Sequence, residues 1–338
     1  MNLKYLYSIV CLGLTLVLGV CPAGALDKDK SENQSLASGS LNDKEYTRSL
    51  NHYILGVYCE NLGDLDGAVG EYQKALKTDP ASPLLHLNLA TVYIQKDNPA
   101  AAIEELKQSA GLAPEAVEPH ALLALVYAVQ QKKDLATQEY TLALKNAVKL
   151  DPKNIEIYKS LGLIYLQQKK IKEAEGIFKL IAGMAPKDAQ THFFLGSIYF
   201  EAKDYSAVEK ELKIALKLKP DFHEALNFLG YFYLEQDKNI DAAGAMIKKA
   251  LVFDPENGAY IDSLGWFYFK KGRFKEALAE LEKAASLLDD PEIYDHLGEV
   301  FLKLGNRISA KLNWEKSLKL DSQQEKIKAK LLKLTNGK

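Results

Sequence analysis

Leu264-Gly265-Trp266-Phe267-Tyr268, followed by Gly272 and then by Ala277, Leu281 and Ala284, is the stretch from which the fold of this chain can be read. Its opening pattern, Leu-Gly/Ala-x-x-aromatic, recurs eight times. The leucines are Leu55, Leu89, Leu123, Leu161, Leu195, Leu229, Leu264 and Leu297, at intervals of 34, 34, 38, 34, 34, 35 and 33 residues, with Cys59 in the aromatic slot of the first copy. A period near 34 residues with this internal pattern marks a solenoid of stacked helix-turn-helix units. Such a fold presents an extended surface, so the sequence asks first what the chain holds.

Each part of the pattern has a mechanical task. Gly or Ala after the leucine lets two helix backbones approach, and the aromatic one turn later fills the space between the paired helices. Six copies close on a proline (Pro80, Pro114, Pro152, Pro186, Pro220 and Pro255). A proline lacks an amide hydrogen, clashes with the preceding turn and so stops the second helix. The pattern resembles the tetratricopeptide repeat family, over repeats placed at 49–82, 83–116, 117–154, 155–188, 189–222, 223–257, 258–290 and 291–324. The third repeat carries four extra residues around Lys145–Lys149, which predicts a longer second helix. The last two lack the closing proline, with Asp289 and Ser322 in its place. The resemblance implies an all-α, right-handed superhelical solenoid of about eight repeats. Residues 325–338 follow as a capping helix and tail, in which Ile327, Leu331 and Leu334 share one face and the lysines between them face water.

The amino terminus is different material. Lys4 precedes an uncharged stretch from Tyr5 to Leu26 that ends in Ala23-Gly24-Ala25, the layout of a secretory signal peptide over residues 1–25. Three fates stay open: cleavage after Ala25, lipidation at Cys21 (although Val20 is large for a lipobox), and retention as an uncleaved anchor. All three place the repeats outside the cytoplasm, in the periplasm or secreted, with membrane attachment only through that lipid or anchor. Residues 26–45 are polar and read as a flexible linker. Hydrophobic content of 47% and a net charge of −2 fit a soluble chain and offer no electrostatic basis for nucleic-acid binding. Cys59, the one cysteine outside the targeting segment, fits a buried structural thiol, and no disulfide framework exists.

A search for chemistry finds little. His52, His86 and His120 recur every 34 residues, and His192 holds the same place in its repeat. Equivalent positions of stacked repeats lie roughly 10 Å apart, too far to share one ion, so packing is expected and no metal. His223-Glu224 lacks the second histidine of a zinc-protease helix, since Asn227 stands there. No glycine-rich phosphate loop, nucleophile elbow or C-x-x-C pair is present. The expectation is a non-enzymatic chain without a cofactor.

In the family the first helix of each repeat lines a concave groove through positions 5, 9 and 12. In the last four repeats those positions hold Phe193, Ser197 and Phe200, then Asn227, Tyr231 and Leu234, then Asp262, Trp266 and Phe269, then Asp295, Glu299 and Leu302. The aromatics read as anchors for a partner segment. Asp262, Asp295 and Glu299 read as an acidic rim favouring a basic partner. Lys159 alone matches the Lys/Asn carboxylate clamp of chaperone-binding members, so that clamp is not expected. The stretches 224–231, 257–266 and 290–299 look similar to closing repeats of envelope-associated bacterial members, several of them lipoproteins and some adaptors for periplasmic proteases. Two readings follow. One is an envelope scaffold or adaptor that grips a protein or peptide segment in its groove, recruiting a protease or cell-wall enzyme. The other is a structural component of an envelope assembly machine for outer-membrane proteins, pili or polysaccharide export.

Overall fold

The computed structural model describes residues 43–336, in which seventeen helices are the only regular elements. The signal segment, Cys21 and residues 26–42 of the expected linker lie outside the described residues. The chain divides between Ile177 and Phe178 into two compact units. Up to that boundary run α1 (Asp43–Asn61), α2 (Leu65–Thr78), α3 (Pro83–Gln95), α4 (Pro99–Leu112), α5 (Glu118–Val129), α6 (Lys133–Leu150), α7 (Ile155–Gln167) and the start of α8 (Ile171–Met184). Beyond it follow α9 (Ala189–Glu201), α10 (Tyr205–Leu218), α11 (His223–Glu235), α12 (Ile240–Phe253), α13 (Gly258–Lys270), α14 (Phe274–Leu287), α15 (Pro291–Lys303), α16 (Arg307–Leu320) and α17 (Glu325–Asn336). Helix α1 begins at Asp43, so the last three residues of the expected linker are helical. The four extra residues of the third repeat make α6 18 residues long, against 14 in α4 and α10.

Within each unit, every first helix of a repeat packs on the second helix that follows it, and that second helix packs on the next repeat. In the second unit α11 also meets α13, and α13 meets α15, so first helices adjoin one another. This is an all-α repeat solenoid. Its interior is built from the signature positions: Ala277, Leu281, Ala284 and Leu297 cluster in the second unit, and Ala68, Tyr72, Ala75 and Leu89 in the first. Gly265 shows why the second signature residue is small, since a Cβ there would stand 2.6 Å from Leu281 Cγ.

All eight turns within repeats close the same way. The residue at repeat position 15 is left-handed, with φ between 50° and 82°, and only Gly63, Gly272 and Gly305 are glycines among Asp97, Gln131, Lys169, Lys203 and Asp237. The next amide donates to the carbonyl of the aromatic slot, as in Asn98 to Tyr93 and Asp204 to Tyr199, both at 2.9 Å. These 6→1 bonds satisfy carbonyls that a helix end otherwise leaves bare. Asp64, Asn98, Asp204 and Asn306 then cap the second helix through side-chain oxygens 2.9–3.2 Å from an amide three residues on.

The four spaced histidines each bridge the two helices of their repeat. Nδ1 of His52, His86, His120 and His192 lies 2.6–2.7 Å from a carboxylate 19 residues on: Glu71, Glu105, Glu139 and Glu211. Among the described residues, no three His, Cys, Asp or Glu side chains gather into a metal-binding group, and no helix is long and apolar enough to cross a membrane. Cys59 is half-buried beside the Ala68 cluster.

The first and last repeats end differently. Leu55 is 47% exposed and Tyr58 60% exposed, whereas their counterparts Leu89 and Val92 are fully enclosed. At the other end Ile327 of α17 is buried against Ala310 and Trp314, with Leu331 and Leu334 beside it.

Candidate functional site

Five of the twelve groove positions read from the last four repeats meet around one cavity of about 100 Å³ in the second unit: Ser197, Phe200, Asn227, Tyr231 and Asp262. The remaining walls were not legible from a fixed stripe. Glu201, Phe228, Ala259, Ser263, Leu288, Asp290, Glu292 and Ile293 complete them; Glu201 stands at repeat position 13, Phe228 and Ser263 at position 6, Asp290 just before position 1 and Glu292 at position 2. The cavity thus runs from the last turn of α9, through the middle of α11 and the first half of α13, to the start of α15. Each repeat is rotated on its predecessor, so equivalent positions do not stay level. A stripe that drifts toward earlier positions in successive repeats would have found Asp290 and Glu292.

The cavity's polar atoms are ordered by a small network. The Tyr231 hydroxyl donates to Glu292 Oε1. Burial, reinforced by the nearby Glu292 carboxylate, holds that phenol well above the usual tyrosine range, so it remains a donor. Asp290 Oδ1 accepts from the Glu292 amide at 2.8 Å and caps α15. Asn227, on α11, is nine-tenths buried and its Oδ1 has no hydrogen-bond partner. Leaving such an acceptor unsatisfied costs about 1–3 kcal/mol.

Beside the cavity lies a buried pair that the sequence reading had placed on an open rim. Asp262 Oδ1 is 2.9 Å from His296 Nδ1, and neither side chain is more than 7% exposed. Burial works against charge on His296, yet Asp262, with Glu292 and Asp295 further off, raises its pKa to about 9. Burial also pushes the Asp262 carboxyl upward against the pull of His296. The Trp266 indole stacks on His296 with ring centres 4.1 Å apart and on Phe269 at 4.5 Å, and its Nε1 donates to Glu235 at 2.9 Å.

Three expectations need correction. Phe193 is buried among Phe194, Phe222 and Phe228, so it builds the wall rather than meeting a partner. Trp266 and Phe269 belong to the stack on His296, outside the cavity lining. The acidic rim is closed from within the chain: Lys330 of α17 reaches Asp295 at 2.5 Å and Glu299 at 2.8 Å. That lysine was expected to face water. Helix α17 instead turns it inward, because two carboxylates on α15 repay its partial burial.

Similarity to known proteins agrees with this architecture. Tetratricopeptide repeat family models match residues 62–134, 141–189 with 195–258, and 260–287. The chain belongs to the tetratricopeptide repeat family. It is 32% identical over 89 residues to anaphase-promoting complex subunit 3 of Schizosaccharomyces pombe, covering 26% of this chain and 13% of that protein. It is 29% identical over 105 residues to the type IV pilus assembly protein PilF of Pseudomonas aeruginosa, covering 30% of this chain and 40% of that one. The chain therefore spans well under half the length of these relatives. Among solved structures, a tetratricopeptide repeat protein of Parabacteroides merdae matches at a TM-score of 0.58 with 18% identity, over 75% of this chain and 99% of that one. The Cut9–Hcn1 hetero-tetramer of the anaphase-promoting complex matches at 0.55 with 14% identity, over 80% of this chain and 52% of that one. At these identities the two structures establish the fold alone.

Proposed function

We propose that this chain is a non-enzymatic scaffold of the bacterial cell envelope that holds a segment of another protein in the groove formed by α9, α11, α13 and α15. The observation that carries this reading is the cavity itself, where aromatic faces and carboxylates from four successive repeats converge. Repeat solenoids use such concave surfaces to grip extended partners. Phe200 and Tyr231, both half-buried, could each contribute about 1.5–3 kcal/mol once a partner covers them. The signal-like amino terminus supports a place outside the cytoplasm, where an adaptor would recruit a protease or cell-wall enzyme.

Partner capture from a native envelope extract tests this, using the full chain beside Ser197→Tyr, which fills the cavity, and Phe200→Ala, which opens it. Helicity and melting of each variant are checked first. A partner held by the unaltered chain and lost by both variants supports groove binding. Retention by all three ends it and leaves the second reading, a structural part of an envelope assembly machine. The likeness to a type IV pilus assembly protein favours that alternative.

A further inference from the structure

The first repeat leaves bare a face that every later repeat covers. Along α1 the residues Asn51, Leu55, Tyr58 and Leu62 fall 4, 3 and 4 residues apart, so they form one straight seam, with Leu62 in the turn just past the helix end. Leu55 is 47% exposed, Tyr58 60% and Leu62 66%, and Ile54 flanks them at 54%. In the other seven repeats the residue equivalent to Leu55 is at most 8% exposed and the one equivalent to Tyr58 at most 6%. There the preceding second helix covers the seam, as α2 covers α3 and α12 covers α13. Helix α1 meets α2 on another side, where Gly56 lies against the Tyr72 ring. A continuous run of leucine, isoleucine and tyrosine left open on a helix face marks an interaction surface.

The seam carries its own complement. Arg48 extends it by about one turn toward the amino end and is exposed, while Asp64 and Asp66 stand beyond its carboxyl end. Asp66 is 90% exposed although Lys96 holds one of its oxygens. Lay a second α1 antiparallel on the first, with Leu55 of each copy against Tyr58 of the other. Each Arg48 then falls beside the 62–66 turn of the opposite copy, and Leu62 meets Asn51 at the margin. A parallel copy instead sets Arg48 against Arg48 and Asp66 against Asp66. Spacing of 4 and 3 suits the shallow crossing of two helices, and antiparallel helices also oppose their dipoles favourably. We propose that the protein pairs with a second copy of itself through α1, about a two-fold axis between Leu55 and Tyr58, independently of the groove-binding reading. A two-fold contact uses the same patch on both copies, which is what a seam with opposite charges at its two ends provides.

Sedimentation equilibrium of the full chain tests this. Helix α1 has 19 residues and is about 28 Å long, so the interface is small. A monomer–dimer dissociation constant of about 1–10 µM is expected. Tyr58→Arg puts like charges at the centre of the seam and should weaken the dimer about tenfold or more. Ile308→Arg, at a 76% exposed position of α16, should leave it unchanged. Arg48→Asp and Asp66→Arg should each weaken it about threefold, and the chain carrying both should return to within about twofold of the parent. Asp66→Arg also loses the bridge to Lys96, a loss that the double variant shares, so its recovery reports the contact between copies. Four results would each overturn the proposal: a chain monomeric at about 100 µM, full affinity in Tyr58→Arg, an equal loss in Ile308→Arg, or a double variant weaker than either single one. The first leaves the seam to residues before Asp43 or to another protein, and the second and third move self-association to a different part of the chain.

Discussion

The two units of the chain use one scaffold and put their polar chemistry in different places. In 43–177, His52, His86 and His120 sit at repeat position 4 and reach a glutamate 19 residues on, inside their own repeat. In 178–336 only His192 does so, and position 4 becomes Leu226, Ile261 and Tyr294. The polar groups shift to positions 5 and 6, where His296 reaches Asp262, 34 residues back in the preceding repeat. The groove positions change in parallel, from Leu87, Ala121, Leu125 and Leu163 to Phe200, Asn227, Tyr231 and Asp262. A polar pair inside one repeat braces that repeat. A polar pair between repeats sets the surface that the repeats share.

The strongest test of this contrast removes one partner from each kind of pair. His296→Leu leaves the Asp262 carboxylate buried alone and should cost about 3–5 kcal/mol in urea unfolding. His52→Leu, whose bridge to Glu71 is partly exposed, should cost no more than about 1 kcal/mol. Replacing both Asp262 and His296 with leucine should recover much of the first loss. Equal costs for the two single variants would erase the distinction.

The same pair gives the second unit a pH signature. With a folded pKa of about 9 against the ordinary 6.5, His296 lends stability that is fully present below about pH 6.5 and is lost as pH rises through 9. The loss should be on the order of 2–3 kcal/mol. His86, raised by its bond to Glu105 despite burial, contributes with the same sign in the first unit. Its bridge is partly solvated and screened, so its share is smaller. Melting temperatures across pH 6 to 10 should therefore flatten markedly in His296→Gln and only slightly in His86→Gln.

Helix spacing offers a finer comparison. Ala90 of α3 and Gly265 of α13 hold the same repeat position. Gly265→Ala should cost about 1–3 kcal/mol despite better helix propensity, because the new Cβ must displace Leu281. Ala90→Gly should cost about 1 kcal/mol for the propensity alone. A stabilising Gly265→Ala would mean that α13 and α14 have slack. The smallest effect should be shared by both units: Gln131→Gly and Lys203→Gly, at left-handed turn positions, should each gain about 0.5–1 kcal/mol in thermal melts.

Most of the helix register was legible because the signature leucines, small residues and prolines repeat in phase, and each has one mechanical task. Five of the cavity's thirteen lining residues were legible for the same reason, through positions 5, 9 and 12. What escaped depends on the rotation between repeats, which no single repeat encodes. Asp290 and Glu292 enter the cavity only because α15 presents its first turn where α9 presents its last. The burial of Asp262 and the capture of Asp295 and Glu299 by Lys330 escaped for a related reason, since each joins residues more than 30 apart in sequence. The drift of the groove is also why Phe193, at a position 5, packs into the wall while Asn227, at the next position 5, borders the cavity.

The stack of Trp266 on His296 has an optical consequence. A protonated imidazole against an indole quenches its emission efficiently, and a neutral one does so far less. One of the chain's two tryptophans is thereby wired to the proton shared with Asp262, at the edge of the cavity. Its fluorescence should brighten as pH passes about 9. Anything that enters the cavity and pulls on Asp262 should shift that midpoint, so the protein carries its own dye for whatever it binds.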